Sequence, residues 1–159
     1  PHFPPLTWAD LVVGGPDAAT DPSVATRLEE LRAEGWQVLH SVPVGARGRI
    51  DHVLIGPGGV YVLNSEPDPA GHPRDPRYEA DRAAKFLSGA LGWSVEVTPA
   101  VMVHSDADIA KVAINGTPHG MVVLDRLDLP RYFRNRQPRL TEAEVADVLE
   151  YARRSSTWT

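Results

Sequence analysis

The sequence predicts a single α/β or α+β domain in which helices cover a β-sheet on both sides. Its 159 residues fit one domain, and a hydrophobic content of 42% is enough for a core. Some segments repeat apolar residues at helical spacing, whereas others are short apolar runs bounded by Gly and Pro. The resulting order is helix, strand, hairpin, helix, strand, strand, helix, so helices and strands are interspersed along the chain.

The amino-terminal part is predicted to contain an irregular arm and one helix. Residues 1–20 are rich in Pro, Gly, Ala and Asp, and they precede a predicted single domain at residues 21–159. Asp21 is a suitable N-cap and Pro22 suits the first helical position, so a helix begins here. Gly35 ends it, after several apolar residues at helical spacing.

A strand and a hairpin follow this helix. Composition predicts a strand at Trp36–Val44. Two apolar strands, Arg49–Ile55 and Val60–Asn64, flank the Gly-Pro-Gly-Gly segment Gly56–Gly59, which is a strong turn signal. We therefore predict a β-hairpin joined by a four-residue turn.

The second half of the chain is predicted to contain two helices and two strands. Tyr78–Leu91 is the clearest helix, because its apolar residues fall on one face. Strands are predicted at Ser94–His104 and Met121–Leu124, each around a short apolar run. The last helix is predicted at Thr141–Arg154, where Glu144 completes the spacing of a capping box.

Composition excludes several classes of site. The chain has no cysteine, which removes disulfides, cysteine-ligated zinc and cysteine nucleophiles and favours a cytoplasmic protein. No apolar run approaches the roughly 20 residues that cross a membrane, and residues 1–5 lack the pattern of a signal peptide. The formal net charge of −5 argues mildly against nucleic-acid binding, although a local basic patch could provide it. The sequence leaves the oligomeric state open.

One segment carries a specific family resemblance. Ile50–Asn64 reads Ile-Asp-His-Val-Leu-Ile-Gly-Pro-Gly-Gly-Val-Tyr-Val-Leu-Asn and closely resembles the signature of the nuclease-related domain (NERD) family, in its actinobacterial form. Weaker similarity extends over roughly residues 20–158. The resemblance implies a restriction-endonuclease-like, or PD-(D/E)xK, core: a mixed central sheet flanked by helices. It also implies a DNA nuclease that depends on Mg²⁺ or Mn²⁺.

The resemblance implies a set of catalytic residues as well. The family's acidic residue at the start of the first helix corresponds to Asp21, and the aspartate of its Asp-His pair to Asp51. Its Glu/Asn-x-Lys pair corresponds to Asn64 and Glu66, and a Gln or Glu opening the next helix to Glu79. Since Mg²⁺ and Mn²⁺ prefer oxygen ligands, Asp51 and Asn64 are the predicted metal ligands.

Several of these residues also allow a structural interpretation. Asp51 could be a hydrogen-bond acceptor near a strand end, and Asn64 could simply end a strand and begin a turn. His52 should point to the opposite face of its strand from Asp51. Like His40, it is predicted to be a satisfied, semi-buried histidine rather than a ligand.

Position 66 departs from the family pattern. The family has lysine where this chain has Glu66, so the charge is reversed and an ammonium donor is lost. Glu66 could act as a general base or an additional cation ligand, or it could begin a solvated loop. Arg82 follows Glu79 at i+3 on the next helix, where it could replace the missing cation or form an ion pair with Glu79.

A dense basic cluster occurs towards the carboxyl end, around Tyr132 and Phe133. Arginine side chains interleaved with aromatic residues can bind a phosphate backbone, whereas the alternative is a solvated surface. The predicted nucleic-acid-binding residues are Arg131, Arg134, Arg136 and Arg139.

Together these observations predict a divergent nuclease-related domain. Its ancestral site would cleave DNA phosphodiester bonds with a divalent metal, and the replacement of lysine by Glu66 leaves that activity weak or lost. The alternatives are a non-catalytic DNA-binding or protein-interaction module on the same fold, and a purely structural domain. The sequence leaves open whether the chain is an endonuclease, an exonuclease or an inactive pseudonuclease.

Overall fold

The structure, a computed structural model, describes residues 22–45, 48–66, 76–103, 122–125 and 129–159. The arm predicted at residues 1–20 and the N-cap predicted at Asp21 lie outside the described residues. The elements of the described chain are α1 (Pro22–Glu29), a 3₁₀ helix (Glu30–Glu34), β1 (Gln37–Val44), β2 (Gly48–Gly56), β3 (Gly59–Glu66), α2 (Pro76–Leu91), β4 (Val97–Val103), β5 (Val122–Asp125), α3 (Leu129–Arg134), α4 (Glu142–Ala152) and a second 3₁₀ helix (Ser155–Trp158).

The strands form one five-stranded mixed sheet in the order β1-β2-β3-β4-β5. β1, β2 and β3 are antiparallel neighbours, whereas β3, β4 and β5 run parallel. Parallel neighbours need a crossover connection, and α2 lies in the connection between β3 and β4. The predicted fold class, a mixed sheet flanked by helices as in a restriction-endonuclease-like core, is confirmed.

Each face of the sheet carries its own hydrophobic core. The α2-side core joins the sheet to α2, α4 and Trp158, and the α1-side core joins it to α1, the first 3₁₀ helix and α3. Val62 of β3 enters the α2-side core, whereas its neighbours Tyr61 and Leu63 enter the α1-side core. Because successive side chains of a strand point to opposite faces, this pattern fixes the register of the sheet.

The hairpin between β2 and β3 is tighter than predicted. Gly56 pairs with Gly59, so the turn consists of Pro57 and Gly58 rather than four residues. Gly59 has a φ of 118°, which side-chain-bearing residues rarely adopt. At Gly56, a Cβ would lie 2.2 Å from the indole ring of Trp36, so this glycine makes room for a buried aromatic side chain.

The regular alternation of β2 breaks once, at Asp51. Ile50 and Val53 both enter the α2-side core although they lie three residues apart, which a regular strand does not allow. The register of β1 with β2 continues on either side but omits Ser41 and Asp51. Ser41 has a φ of 55°, unusual for a residue other than glycine. Distortions of this kind re-aim side chains and often lie beside functional sites.

Most element boundaries differ from the prediction by one to three residues, and one helix was not predicted. β4 begins at Val97 rather than Ser94, because the backbone N–H of Val95 donates to Ser88 Oγ at 2.8 Å and ties this segment to α2. β5 extends to Asp125. α3 was not predicted; its six residues are too few for a helical pattern, and burial of Leu129 and Phe133 in the α1-side core stabilises it.

The two long helices predicted in the second half are present, although α2 begins two residues earlier and α4 ends two residues earlier than predicted. α2 has the predicted carboxyl end, and α4 begins with the predicted capping box. Thr141 Oγ1 accepts from the N–H of Glu144 at 3.1 Å, and the Glu144 carboxylate accepts from the N–H of Thr141 at 2.9 Å. In the described ranges, no helix combines the length and apolar character needed to cross a membrane.

Candidate acid site

Three of the predicted site residues meet where β3 ends and α2 begins. Asp51 lies on β2, Asn64 lies near the carboxyl end of β3, and Glu79 lies in the first turn of α2. The start of a helix favours a carboxylate such as Glu79 because the helix dipole is positive there. Clefts beside the carboxyl ends of parallel strands are common ligand sites, so the location suits a functional site.

The amide of Asn64 joins the other two residues. Its Oδ1 accepts a hydrogen bond from the backbone N–H of Asp51 at 2.8 Å, and its Nδ2 donates to Glu79 Oε2. Asn64 is buried, at 1% exposure, so these bonds satisfy polar groups that water does not reach readily. The oxygen and the nitrogen of the Asn64 amide are therefore both engaged in hydrogen bonds within the protein.

The carboxylate of Asp51 is buried and faces a guanidinium. Asp51 is 4% exposed, and its Oδ1 accepts from Arg49 Nη2 at 3.1 Å. Arg49 also donates from Nη1 to Ser41 Oγ at 3.3 Å, which connects the pair to the distorted position of β1. The prediction missed Arg49, although it lies only two residues before Asp51 in the sequence.

The described residues do not complete a divalent-metal site. They contain no group of three or more His, Asp and Glu side chains that could hold a cation. Asn64 directs its oxygen at the N–H of Asp51, and Arg49 occupies one oxygen of Asp51. Asp21 lies outside the described residues, and only the backbone of Glu66 is described, beside Val103 of β4. As they stand, these contacts do not fit the Mg²⁺ or Mn²⁺ that the resemblance implies.

A comparison with known protein families shows which family matches the part of the chain that carries these site residues. Residues 18–104, more than half of the chain, match the family model described as nuclease-related domain (NERD). The chain belongs to the nuclease-related domain family. No curated protein and no solved structure matches it. The match includes Asp21, Asp51, Asn64, Glu66 and Glu79, and it ends before β5.

In this nuclease-related domain, Arg82 contacts aromatic rings. Its guanidinium carbon lies 5.6 Å from the centre of the Tyr78 ring and 5.5 Å from that of Phe86. A Cβ on Gly45 would lie 2.3 Å from Arg82 Nη2, which places the guanidinium against the end of β1. Among the described residues, Arg49 therefore contacts the acid site as a cation. Arg82 packs instead against aromatic rings of α2 and against the end of β1.

The two histidines lie on the opposite face of the sheet from the acid site, as predicted. His40 and His52 are 0% and 2% exposed, and their Nδ1 atoms lie 2.9 Å apart. His40 Nε2 lies 2.7 Å from Oε1 of Glu29 on α1. Hydrogen bonds from Arg32 and His40 hold the pKa of Glu29 below its usual value despite its partial burial. In this nuclease-related domain, His40 thus joins α1 to the sheet, and the signature histidine His52 contacts His40.

The arginine cluster lies at the other end of the sheet. The N–H groups of Arg139 and Leu140 donate to the carbonyl of Pro57, at 2.6 Å and 3.1 Å, and attach this segment to the β2–β3 turn. That turn is five residues along β2 from Asp51, roughly 17 Å away at about 3.3 Å per residue. The cluster is therefore a surface separate from the acid site.

The four arginines have different environments. Arg134 Nε donates to both oxygens of Glu34, at 2.6 Å and 2.8 Å, and this bond raises the pKa of Arg134. Arg136 stacks on the ring of Tyr132 with its guanidinium carbon 3.9 Å from the ring centre. Arg131 and Arg139 are exposed. The predicted DNA-binding cluster thus divides into a helix surface and a loop surface.

Proposed function

We propose that this chain is a divergent nuclease-related domain whose metal-dependent cleavage of DNA is weak or lost. Asp51 and Glu79 keep the carboxylates of the ancestral site, and Asn64 and Glu66 occupy the positions of the family's Glu/Asn-x-Lys pair. The proposal includes DNA as the ancestral substrate, Mg²⁺ or Mn²⁺ as the ancestral cofactor, and a cytoplasmic location, which the cysteine-free sequence supports.

The hydrogen bonds of Asn64 are the observation that carries this proposal. A cation between Asp51 and Asn64 would need the Asn64 oxygen, which instead accepts from a backbone N–H. One oxygen of Asp51 likewise already accepts from Arg49. Each of these donors competes with a cation for the oxygen atom that it contacts, so the arrangement weakens metal binding.

The loss of lysine at position 66 also weakens DNA cleavage. In phosphodiester cleavage, an ammonium group beside the scissile phosphate stabilises the negative charge that develops on its oxygens. Glu66 supplies a negative charge at that sequence position instead. A carboxylate there raises the electrostatic cost of bringing a phosphate to the site.

The Arg49–Asp51 ion pair also favours the second candidate function, a non-catalytic DNA-binding or protein-interaction module. A guanidinium pairs with the buried carboxylate, so burial of Asp51 does not require a metal. The two candidates differ in whether restoring lysine restores cleavage.

Glu66→Lys is expected to increase Mn²⁺-dependent DNA cleavage by about 100-fold over the wild type, the usual size of a positioned acid–base or electrostatic contribution. The assay follows conversion of supercoiled DNA to nicked and linear forms. Asp51→Ala in the Glu66→Lys background should abolish the gain.

Glu96→Lys is the matched control for that experiment. It makes the same change of charge at an exposed position just before β4, at the opposite end of the parallel strands from Glu66. An equal gain in Glu96→Lys would show that added positive charge merely attracts DNA. No gain in Glu66→Lys would favour the non-catalytic module.

A further inference from the structure

The segment after α3 and the β2–β3 turn enclose a pocket that the acid site does not use. It has a volume of about 290 Å³ and lies on the α1 side of the sheet. We refer to it as the Tyr61 pocket. Its lining residues are Gly58, Tyr61, Asn135, Arg136, Gln137 and Arg139.

The charged groups that line this pocket are all cations. Two guanidinium groups and two carboxamides line it, and none of its described lining residues is Asp or Glu. Arginine forks match the geometry of tetrahedral oxyanions and bind them through paired N–H donors. The lining therefore favours a phosphoryl group over a cation or an apolar ligand.

Arg136 is held in place for such a role. It stacks on Tyr132 at 3.9 Å, and its Nε and Nη1 donate to the carbonyl and the hydroxyl of that residue, at 3.1 Å and 3.2 Å. A guanidinium that is already oriented loses less conformational entropy when it binds a ligand. Among the described residues, Arg139 has no acceptor for its guanidinium, so its donors remain available to a ligand.

Tyr61 contributes a hydroxyl at the inner side of the pocket. Its ring is buried against Trp36 and Phe133, with ring centres 6.0 Å and 5.1 Å away. The described part of the chain offers this hydroxyl no hydrogen-bond partner, so it can donate to a ligand in the pocket. The pKa of Tyr61 lies above its usual value because the ring is buried and Tyr132 lies nearby, and the charges of Arg136 and Arg139 offset part of this rise.

We propose that the Tyr61 pocket binds a phosphoryl group, with Arg136 and Arg139 pairing its oxygens and the Tyr61 hydroxyl donating to it. The phosphoryl group belongs either to a free nucleotide or to a nucleic-acid strand. The pocket lies at the opposite end and on the opposite face of the sheet from Asn64, so this binding is independent of the acid site and needs no divalent metal.

The test is a titration of the protein with inorganic phosphate in EDTA, followed by NMR of the backbone amides at 135–139 and of the arginine Nε–H groups. A saturable shift is expected, with affinity reduced about tenfold in Arg139→Gln and in Tyr61→Phe, the effect of losing one charged hydrogen bond. Tyr61→Phe keeps the buried ring, so a thermal melt can show that the fold is retained.

Arg131→Gln provides the matched control, because Arg131 belongs to the same cluster but does not line the pocket. Equal weakening in Arg131→Gln would overturn the proposal in favour of general attraction by the cluster. Absence of a saturable shift at millimolar phosphate would also overturn it. Adenosine 5′-monophosphate and a single-stranded oligodeoxynucleotide then identify the source: whichever binds more tightly than inorganic phosphate, and loses affinity in Arg139→Gln, carries the natural phosphoryl group.

Discussion

Asn64→Asp is expected to make the stability of the protein depend on a divalent cation. Aspartate keeps the acceptor that Asn64 offers to the N–H of Asp51, but it replaces the donor to Glu79 with a second carboxylate. Loss of that hydrogen bond and repulsion between the two carboxylates should lower the free energy of unfolding by about 2–3 kcal/mol at neutral pH. Urea denaturation in EDTA measures this loss.

Added Mn²⁺ should then recover most of the stability of Asn64→Asp and change that of the wild type little. The variant places a second carboxylate beside that of Glu79, and paired carboxylates are oxygen donors that hard cations bind. Lowering the pH should also reduce the loss, because protonation of one carboxylate of the repelling pair restores a donor.

Asn64→Leu separates the effect of the added charge on stability from the effect of the lost hydrogen bonds. It should be destabilised as well, but without any response to Mn²⁺, since it adds no oxygen ligand. If Mn²⁺ stabilised the wild type and Asn64→Asp equally, the cation would be binding elsewhere, and the acid site would not be the ancestral metal site.

Gly56→Ala is expected to lower the free energy of unfolding by about 3 kcal/mol, at the upper end of the usual cost of overpacking. The added Cβ would lie 2.2–2.8 Å from three atoms of the Trp36 ring, and Trp36 is only 3% exposed. The indole must therefore leave its position against Tyr61 and Phe133, with loss of two aromatic contacts. Chemical denaturation measures the loss.

Gly89→Ala is the matched control for Gly56→Ala. Gly89 lies inside α2, and an added Cβ there meets nothing within 4 Å. Alanine is the better helix former, so this substitution should raise stability by about 0.5–1 kcal/mol. In the Trp36→Ala background, Gly56→Ala should cost little. If Gly56→Ala lowered the free energy of unfolding as much in that background as in the wild type, the steric explanation would be wrong.

Much of the fold was predictable because local signals agree with the tertiary structure. The hairpin around Gly56–Gly59, the apolar face of α2 and the Thr141 capping box each depend on spacing within one segment. α3 depends on tertiary burial of Leu129 and Phe133, which local spacing does not reveal. The same holds for the exact length of the β2–β3 turn, since Trp36 occupies the space beside Gly56.

The acid site was predictable only in part. The family signature pointed to Asp51, Asn64 and Glu79, and the structure brings these residues together; their catalytic role stays a prediction. The contact of Arg49 with Asp51 could not be predicted from strand alternation, because alternation breaks at Asp51. The positive φ of Ser41 depends on contacts between strands, and no residue type in the sequence marks it.

The distortion at Ser41 also bears on association between copies of this chain. β1 is an outer strand of the described sheet, and an outer strand with unpaired N–H and C=O groups can recruit a strand from another molecule. A left-handed residue at position 41 and a proline at position 43 interrupt the regular row of donors along this border. β1 is therefore a poor template for edge-to-edge aggregation, and the backbone geometry that shapes the acid site also protects the sheet.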